Sequence, residues 1–198
     1  MTTATIRRPT QRDWPRIEEI LHEVNFRVGG PEMRRFPLGD CYVAEINGTV
    51  VGVGGYRIFE DNPDTGKTTL LAVSRPWRNS NAAMALHRAR IEYMFSKGVE
   101  TVYTNYDNQR VIAWYCRIFG YRPTGRTIPK EESFGDDNVP EWTNLVLYKK
   151  DYKFKRSNVG AVFNRDQKTA SSRNGTRAPT AVNRPAASWT MDPVPEYP

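Results

Sequence analysis

Residues 70–86, LLAVSRPWRNSNAAMAL, carry an apolar, β-rich run through a short polar loop into a helix. TTLLAVS (68–74) has the length and composition of a buried strand, closed by Arg75-Pro76. From about Ser80 to Ser96 the pattern is helical. Ala82, Leu86, Ala89 and Tyr93 mark one face while Met84, Ile91 and Phe95 mark the opposite one, as expected of a helix covered on both flanks. Such a junction gathers free backbone N–H groups at the positive end of the helix dipole, and Arg75 and Arg78 add full charges. These are the ingredients of a diphosphate cradle.

Toward the N-terminus, Thr5–Arg8 reads as a short strand, and Asp13 as the cap of a helix with Pro15 in its first turn and Ile17, Ile20, Leu21 and Val24 on one face. Residues 25–39, with two Pro and three Gly, predict a loop or broken short helix. CYVAEI (41–46) and TVVGVGGYRIF (49–59) flank Asn47-Gly48, a pair that supplies the positive φ angles of a tight hairpin. Asp61–Gly66 reads as a turn. Within DNPDTGKTT (61–69), Gly66-Lys67-Thr68 imitates half of an NTPase phosphate loop. Asp61 stands at the first glycine position, however, and a strand follows where that motif needs a helix.

Toward the C-terminus, Gly98 stops the central helix and TVYTN (101–105) predicts a strand. Asn108 caps a helix that runs to about Phe119 and ends at Gly120. Residues 123–141 form a long connection, and TNLVLYKK (143–150) is the last confident element. Beyond Tyr152 the chain is rich in Ser, Thr, Asn, Arg, Pro and Ala without periodicity. The expected division is therefore a globular domain over 1–152 and a basic tail over 153–198, with about 165–198 disordered.

The 198 residues, 38% hydrophobic and 26% charged, suffice for one domain with a sizeable core. Two Cys (Cys41, Cys116) and two His (His22, His87) supply neither a disulfide framework nor a zinc site at ligand spacing. No apolar run reaches membrane-spanning length and MTTATIRRPT lacks a signal-peptide core, so a cytoplasmic, metal-free protein is expected. Without a secretory signal, the sequons Asn47-Gly48-Thr49 and Asn174-Gly175-Thr176 read as a turn and a tail segment. Of the net charge of +7, the segment 151–198 holds over half, with 8 basic against 4 acidic residues. That surplus can attract nucleic acid or an acidic protein.

The order of elements and the 70–86 loop resemble the GNAT superfamily of acyl-CoA-dependent N-acetyltransferases over about residues 4–150. In that family a strand ending in hydrophobic-x-Val precedes Arg/Gln-x-x-Gly-x-Gly/Ala and a helix with Leu three residues on. The matching positions are Val73, Arg78, Asn81, Ala83 and Leu86, without a gap. Asn81 replaces the first glycine and Asn79 another common one, which crowds the approach to a pyrophosphate; Asn is the next most tolerant residue for positive φ. A second match is Asn108 opening a helix, then Tyr115, then Gly120-Tyr121 where Gly-Phe is usual.

The resemblance implies an α/β fold, a six- to seven-stranded, mostly antiparallel sheet flanked by about four helices, open between its fourth and fifth strands. It implies acetyl-CoA as co-substrate, held by Ala72, Val73, Ser74, Arg78, Asn79, Ser80, Asn81, Ala82, Ala83 and Asn108. Main-chain N–H groups near Ala72–Ser74 would hold the pantetheine arm and polarise the thioester. Loss of the thiolate needs an acid, which is Tyr115 counted from Asn108 or Cys116 counted from Gly120; Tyr115 is favoured. The Glu that some family members have at the start of the CoA-binding strand is absent, since Lys67-Thr68 stand there, so the base is assigned to Glu60, with Asp61 and Glu45 as alternatives.

Acceptor contacts are expected from 25–39, from Asn105-Tyr106 and from 123–141, whose five acidic residues suit a cationic amine. The expected activity is acetyl transfer to a primary amine, small or polymer-borne, in a ternary complex. A rival is a GNAT-fold binding module that has lost transfer and uses its tail to hold nucleic acid or an acidic partner. A homodimer is left open.

Overall fold

The computed structural model describes residues 3–24, 40–130 and 138–154. Seven strands form one sheet: β1 (Thr5–Arg7), β2 (Cys41–Ile46), β3 (Thr49–Ile58), β4 (Thr65–Val73), β5 (Thr101–Tyr106), β6 (Arg122–Pro129) and β7 (Glu141–Tyr148). Their spatial order is β1-β2-β3-β4-β5-β7-β6, antiparallel throughout except where β4 meets β5. The described residues hold three α-helices, α1 (Trp14–Glu23), α2 (Ala82–Ser96) and α3 (Gln109–Phe119), against the four or so expected. The 25–39 segment and the tail from 155 onward lie outside the described residues.

The β2–β3 hairpin turns at Asn47 (φ 51°) and Gly48 (φ 76°), the two positive angles that the Asn-Gly pair predicts. α1 lies on one face of the sheet and buries Ile17, Ile20 and Leu21 against Val43, Val53, Leu70 and Ala72. Each such side chain contributes about 1.5–3 kcal/mol by leaving water. α2 crosses the other face. Its small N-terminal half (Ala82, Ala85, Leu86, Ala89) packs on Ile6, Ala44, Val51 and Val73, and Ile91 and Met94 join α3 and β5 in a second cluster. Apolar residues all round α2 thus have partners all round it, as the sequence predicts.

α3 buries Ile112, Tyr115 and Phe119 over Val102, Leu145 and Leu147. The Asn108 side chain accepts from the N–H groups of Arg110 (3.0 Å) and Val111 (3.3 Å), so the predicted cap forms. Gly120 ends the helix at φ 93°, in a space where a Cβ would stand 2.5 Å from the Asp151 carbonyl oxygen.

Three local expectations are corrected. The connection over 123–141 contains β6, which carries no apolar alternation because it is an edge strand, and whose Pro123 and Pro129 are tolerated there for want of a second neighbour. β4 begins at Thr65 inside the expected turn, because Thr65 and Gly66 pair with Thr101 and Val102. Asp13 precedes α1 without capping it through its side chain; its carboxylate instead takes Arg7 at 2.7 and 2.8 Å and the Thr10 N–H at 2.7 Å.

Candidate active site

The parallel pairing of β4 and β5 covers only Thr65–Lys67 against Thr101–Tyr103. Beyond it the hydroxyls of Thr68 and Thr104 meet at 2.7 Å, and then β4 parts from β5 over its last residues. The opening expected between the fourth and fifth strands is therefore present.

On its other edge the end of β4 pairs with β3, Val73 opposite Gly52 and Ala72 opposite Val53, and the Ser74 N–H donates to the Val51 carbonyl at 2.9 Å. Antiparallel ladders alternate. Ser74 and Ala72 thus turn their main-chain groups to β3, whereas those of Val73 and Leu71 face the opening. This corrects the expectation that the amides of Ala72–Ser74 are collectively free, and it brings in Leu71, which sequence reasoning missed because the parity of the ladder is set by the partner strand.

After β4, Arg75–Trp77 make one 3₁₀ turn before α2 begins at Ala82. The N–H groups of Asn79, Asn81, Ala83 and Met84 meet no acceptor among the described residues. The Ala82 N–H is taken by the Ser80 hydroxyl at 3.2 Å. Arg78 is exposed, its Nε 3.4 Å from the Val73 carbonyl, and Asn79 is exposed beside it. Asn81 has φ −80° and turns its side-chain oxygen away to the Ala4 N–H at 3.3 Å. The asparagine in the glycine position therefore needs no positive φ, and its side chain does not fill the loop.

One anion already sits here. The Glu23 carboxylate, at the end of α1, accepts from the Arg75 N–H at 2.7 Å and from the Ser74 hydroxyl at 2.9 Å. Those bonds, with Arg16 and Arg78 nearby, hold its pKa below the usual carboxylate range against the opposing effect of burial.

Beneath the opening, on the α2–α3 side, lies a polar network within an aromatic cluster. Arg90, 1% exposed, donates through Nη1 to the carbonyls of Gly55 and Leu70, where the β3–β4 register shifts. Its Nε and Nη2 meet His87 Nδ1 at 3.1 and 2.6 Å, and Nη2 reaches the Tyr115 hydroxyl at 3.2 Å. Because Nδ1 accepts, the His87 proton resides on Nε2, amid the rings of Tyr115 and Phe119 at 4.6 and 4.4 Å. Burial and the Arg90 charge push the His87 pKa well below its ordinary value.

Tyr115 is fully buried, and its hydroxyl is hydrogen-bonded with that of Tyr106 at the end of β5. Burial raises the Tyr115 pKa, opposed by the Arg90 charge and by both hydrogen bonds, so it is a neutral phenol at physiological pH. Cys116 lies on the half-exposed side of α3, its thiol pKa raised by burial with Lys153 opposing. The geometry joins Tyr115, not Cys116, to this network.

Of the carboxylates considered as base, Glu45 is committed to Arg7 at 2.7 Å. Glu60 and Asp61 are exposed, just past β3 and before β4. Arg90 is a member that sequence reasoning missed, and Tyr106, expected only as an acceptor contact, joins the network as well. The one available signal was the packing of His87, Arg88 and Arg90 into a helix apolar on both sides. Among the described residues no three His, Cys, Asp or Glu gather to hold a metal, and no helix is long and apolar enough to cross a membrane.

The sequence model of the acetyltransferase (GNAT) family matches residues 5–121. No curated protein sequence gives a significant match. Among solved structures, Ard1 from Thermoplasma volcanium superposes with a TM-score of 0.60 at 18% identity, covering 74% of this chain and 97% of that one. The yncA protein of Salmonella typhimurium, solved with its cofactor acetyl-CoA, gives 0.57 at 20% identity, covering 74% and 94%. N-acetylglutamate synthase from Neisseria gonorrhoeae, complexed with coenzyme A and N-acetyl-glutamate, gives 0.57 at 16% identity over 75% of this chain and 35% of that one. These likenesses show a shared fold, and two of the three structures hold CoA or acetyl-CoA.

Proposed function

The chain belongs to the acetyltransferase (GNAT) family, and from that membership we propose that it moves an acetyl group from acetyl-CoA to a primary amine by direct attack within a ternary complex. One observation carries the reading: β4 leaves β5 after three paired residues, and the Tyr115 hydroxyl sits under the gap with the Arg90 guanidinium fixed on its oxygen.

The site fits the cofactor. The main-chain groups of Leu71 and the N–H of Val73, unpaired with either neighbouring strand, line the opening and match the amides of a pantetheine arm as a missing strand would. The free N–H groups of Asn79, Asn81, Ala83 and Met84, with Arg78, suit a diphosphate at the start of α2. Bound acetyl-CoA supplies an activated thioester, whose carbonyl carbon gains the amine nitrogen as its bond to sulfur breaks. Positioning of the two partners supplies several kcal/mol of the barrier.

Tyr115 provides the proton for the departing sulfur. Its oxygen accepts from Arg90, which fixes the phenol in place, and burial keeps it protonated until the proton is needed. Asn108 contributes by capping α3 and so fixing the start of the helix that carries Tyr115. The amine must shed a proton to attack. Glu60, exposed beside the start of β4, is the carboxylate assigned to receive it through water.

Calorimetry with acetyl-CoA and thiol release with a panel of amines test this reading. Micromolar binding is expected, weakened about tenfold by Arg78→Ala, the scale of one charge-assisted hydrogen bond. Absence of binding at millimolar acetyl-CoA overturns it.

A further inference from the structure

At the closed end of the opening the sheet carries a group of cations and amides that the transfer step does not use. Lys67, the last β4 residue paired with β5, stands opposite Tyr103 on one side and opposite Arg57 of β3 on the other. Tyr56, Val102 and Leu145 belong to the α2–α3 cluster. By alternation Arg57, Lys67, Asn105 and Asn144 therefore lie on the opposite face, the one on which α1 packs. α1 covers Leu70 and Ala72, further along β4.

Lys67 Nζ lies 3.2 Å from the Asn105 side-chain amide, and the amides of Asn105 and Asn144 are 2.9 Å apart across the β5–β7 pair. With both amides turned oxygen-first toward the lysine, Lys67 donates to Asn105 and Asn105 donates to Asn144. Among the described residues the half-buried ammonium thus has one neutral acceptor, and burial lowers its pKa. Among the described residues neither Lys67 nor Arg57 has a carboxylate partner, in contrast to Lys130 with Asp107 and Arg88 with Glu92. Like charges directly opposite each other on a sheet repel, and a half-buried ammonium with unmet N–H donors is costly. A bound anion relieves both.

The cofactor's phosphates cannot be that anion. From Lys67 to Val73, where the diphosphate loop begins, β4 rises about 20 Å. An anion bound here would come from the other substrate.

We propose that Arg57, Lys67 and the Asn105–Asn144 amide pair bind a carboxylate of the acceptor, so that the substrate is a small amine bearing a carboxylate, as an amino acid does. This rests on the acetyl-transfer reading above and names its substrate class.

The test compares the twenty L-amino acids, β-alanine and γ-aminobutyrate with their decarboxylated counterparts as acceptors, by thiol release from acetyl-CoA. The best amino acid should exceed its decarboxylated partner in kcat/KM by about ten- to a hundredfold, the scale of one hydrogen bond to a charged group. Lys67→Met should collapse that ratio through KM, and Lys67→Arg should restore part of it. Calorimetry should show the N-acetyl form of the preferred amino acid binding the CoA-loaded protein, and Lys67→Met losing it. Should Lys67→Met fail to fold, the exposed Arg57→Met carries the same comparison.

Equal rates for the two members of a pair overturn the proposal, as does an equal fall for both in Lys67→Met, which would make the lysine a partner of the thioester. A protein that binds acetyl-CoA but acetylates nothing in the panel overturns it too. Failure to bind acetyl-CoA at all refutes instead the transfer reading on which it stands.

Discussion

Arg90 ties four parts of the protein together, and its replacement by methionine measures how much they depend on it. The guanidinium satisfies the carbonyls of Gly55 and Leu70 at the β3–β4 irregularity, His87 Nδ1, and one lone pair of Tyr115. In Arg90→Met the first three acceptors lose this partner, at about 1–3 kcal/mol each. Relief of the desolvated charge and burial of the methionine stem offset part of this. A net loss of about 3 kcal/mol follows. For a domain of this size each kcal/mol lowers Tm by about 3 °C, so melting followed by circular dichroism should show a fall of about 10 °C.

Arg90→Lys should recover less than half. A compact ammonium that reaches the two strand carbonyls cannot also span to His87 and Tyr115. A fall of under about 2 °C in Arg90→Met, or full recovery by lysine, would refute the claim that the guanidinium joins sheet, helix and phenol. The variant should also lose turnover, because Tyr115 is then held by Tyr106 alone.

Three further outcomes are expected. Tyr115→Phe should lower kcat at least a hundredfold while calorimetry shows acetyl-CoA still bound, whereas Cys116→Ala should leave kcat within about twofold. Gly120→Ala should cost about 2 kcal/mol or more in urea unfolding, since it forces a side chain into a left-handed conformation and against the Asp151 carbonyl. The fold should weaken as pH drops below about 6.5, because the unfolded chain protonates His87 while the folded chain, with its depressed pKa, does not. The slope approaches 1.4 kcal/mol per pH unit for one proton. Between pH 6.5 and 5, His87→Gln should flatten it, with unfolding midpoints in urea as the measure.

What could be read from the chain alone were features whose physics is local. Asn47-Gly48 dictates its turn whatever the surroundings, Asn108 and Gly120 bound α3 through bonds within a few residues, and the strand-loop-helix of 70–86 follows from composition. Features set by a distant partner were not legible. Which β4 amides face the opening depends on the register with Gly52 and Val53, and β6 exists because β7 lends it an edge. Arg90 on a helix looks like a solvated charge until the Gly55 and Leu70 carbonyls meet it, and Lys67, already set aside as a phosphate-loop lysine in the sequence, has no visible neighbour there until β5 brings Asn105 beside it. Tyr115 was reachable by counting, but only its bonds to Arg90 and Tyr106 separate it from Cys116.

The brevity of the β4–β5 seam has a mechanical consequence. Three register positions, the Thr68–Thr104 pair and the Lys67–Asn105 contact fasten β1–β4 to β5–β7–β6 at the sheet, so the two leaves are bound along one margin only, with α2 laid behind them as a spine. Widening the gap breaks no ladder bonds beyond that margin. Admission of a long, thin ligand therefore needs little further rupture, the cost having been met when the chain first folded without a strand to fill the space.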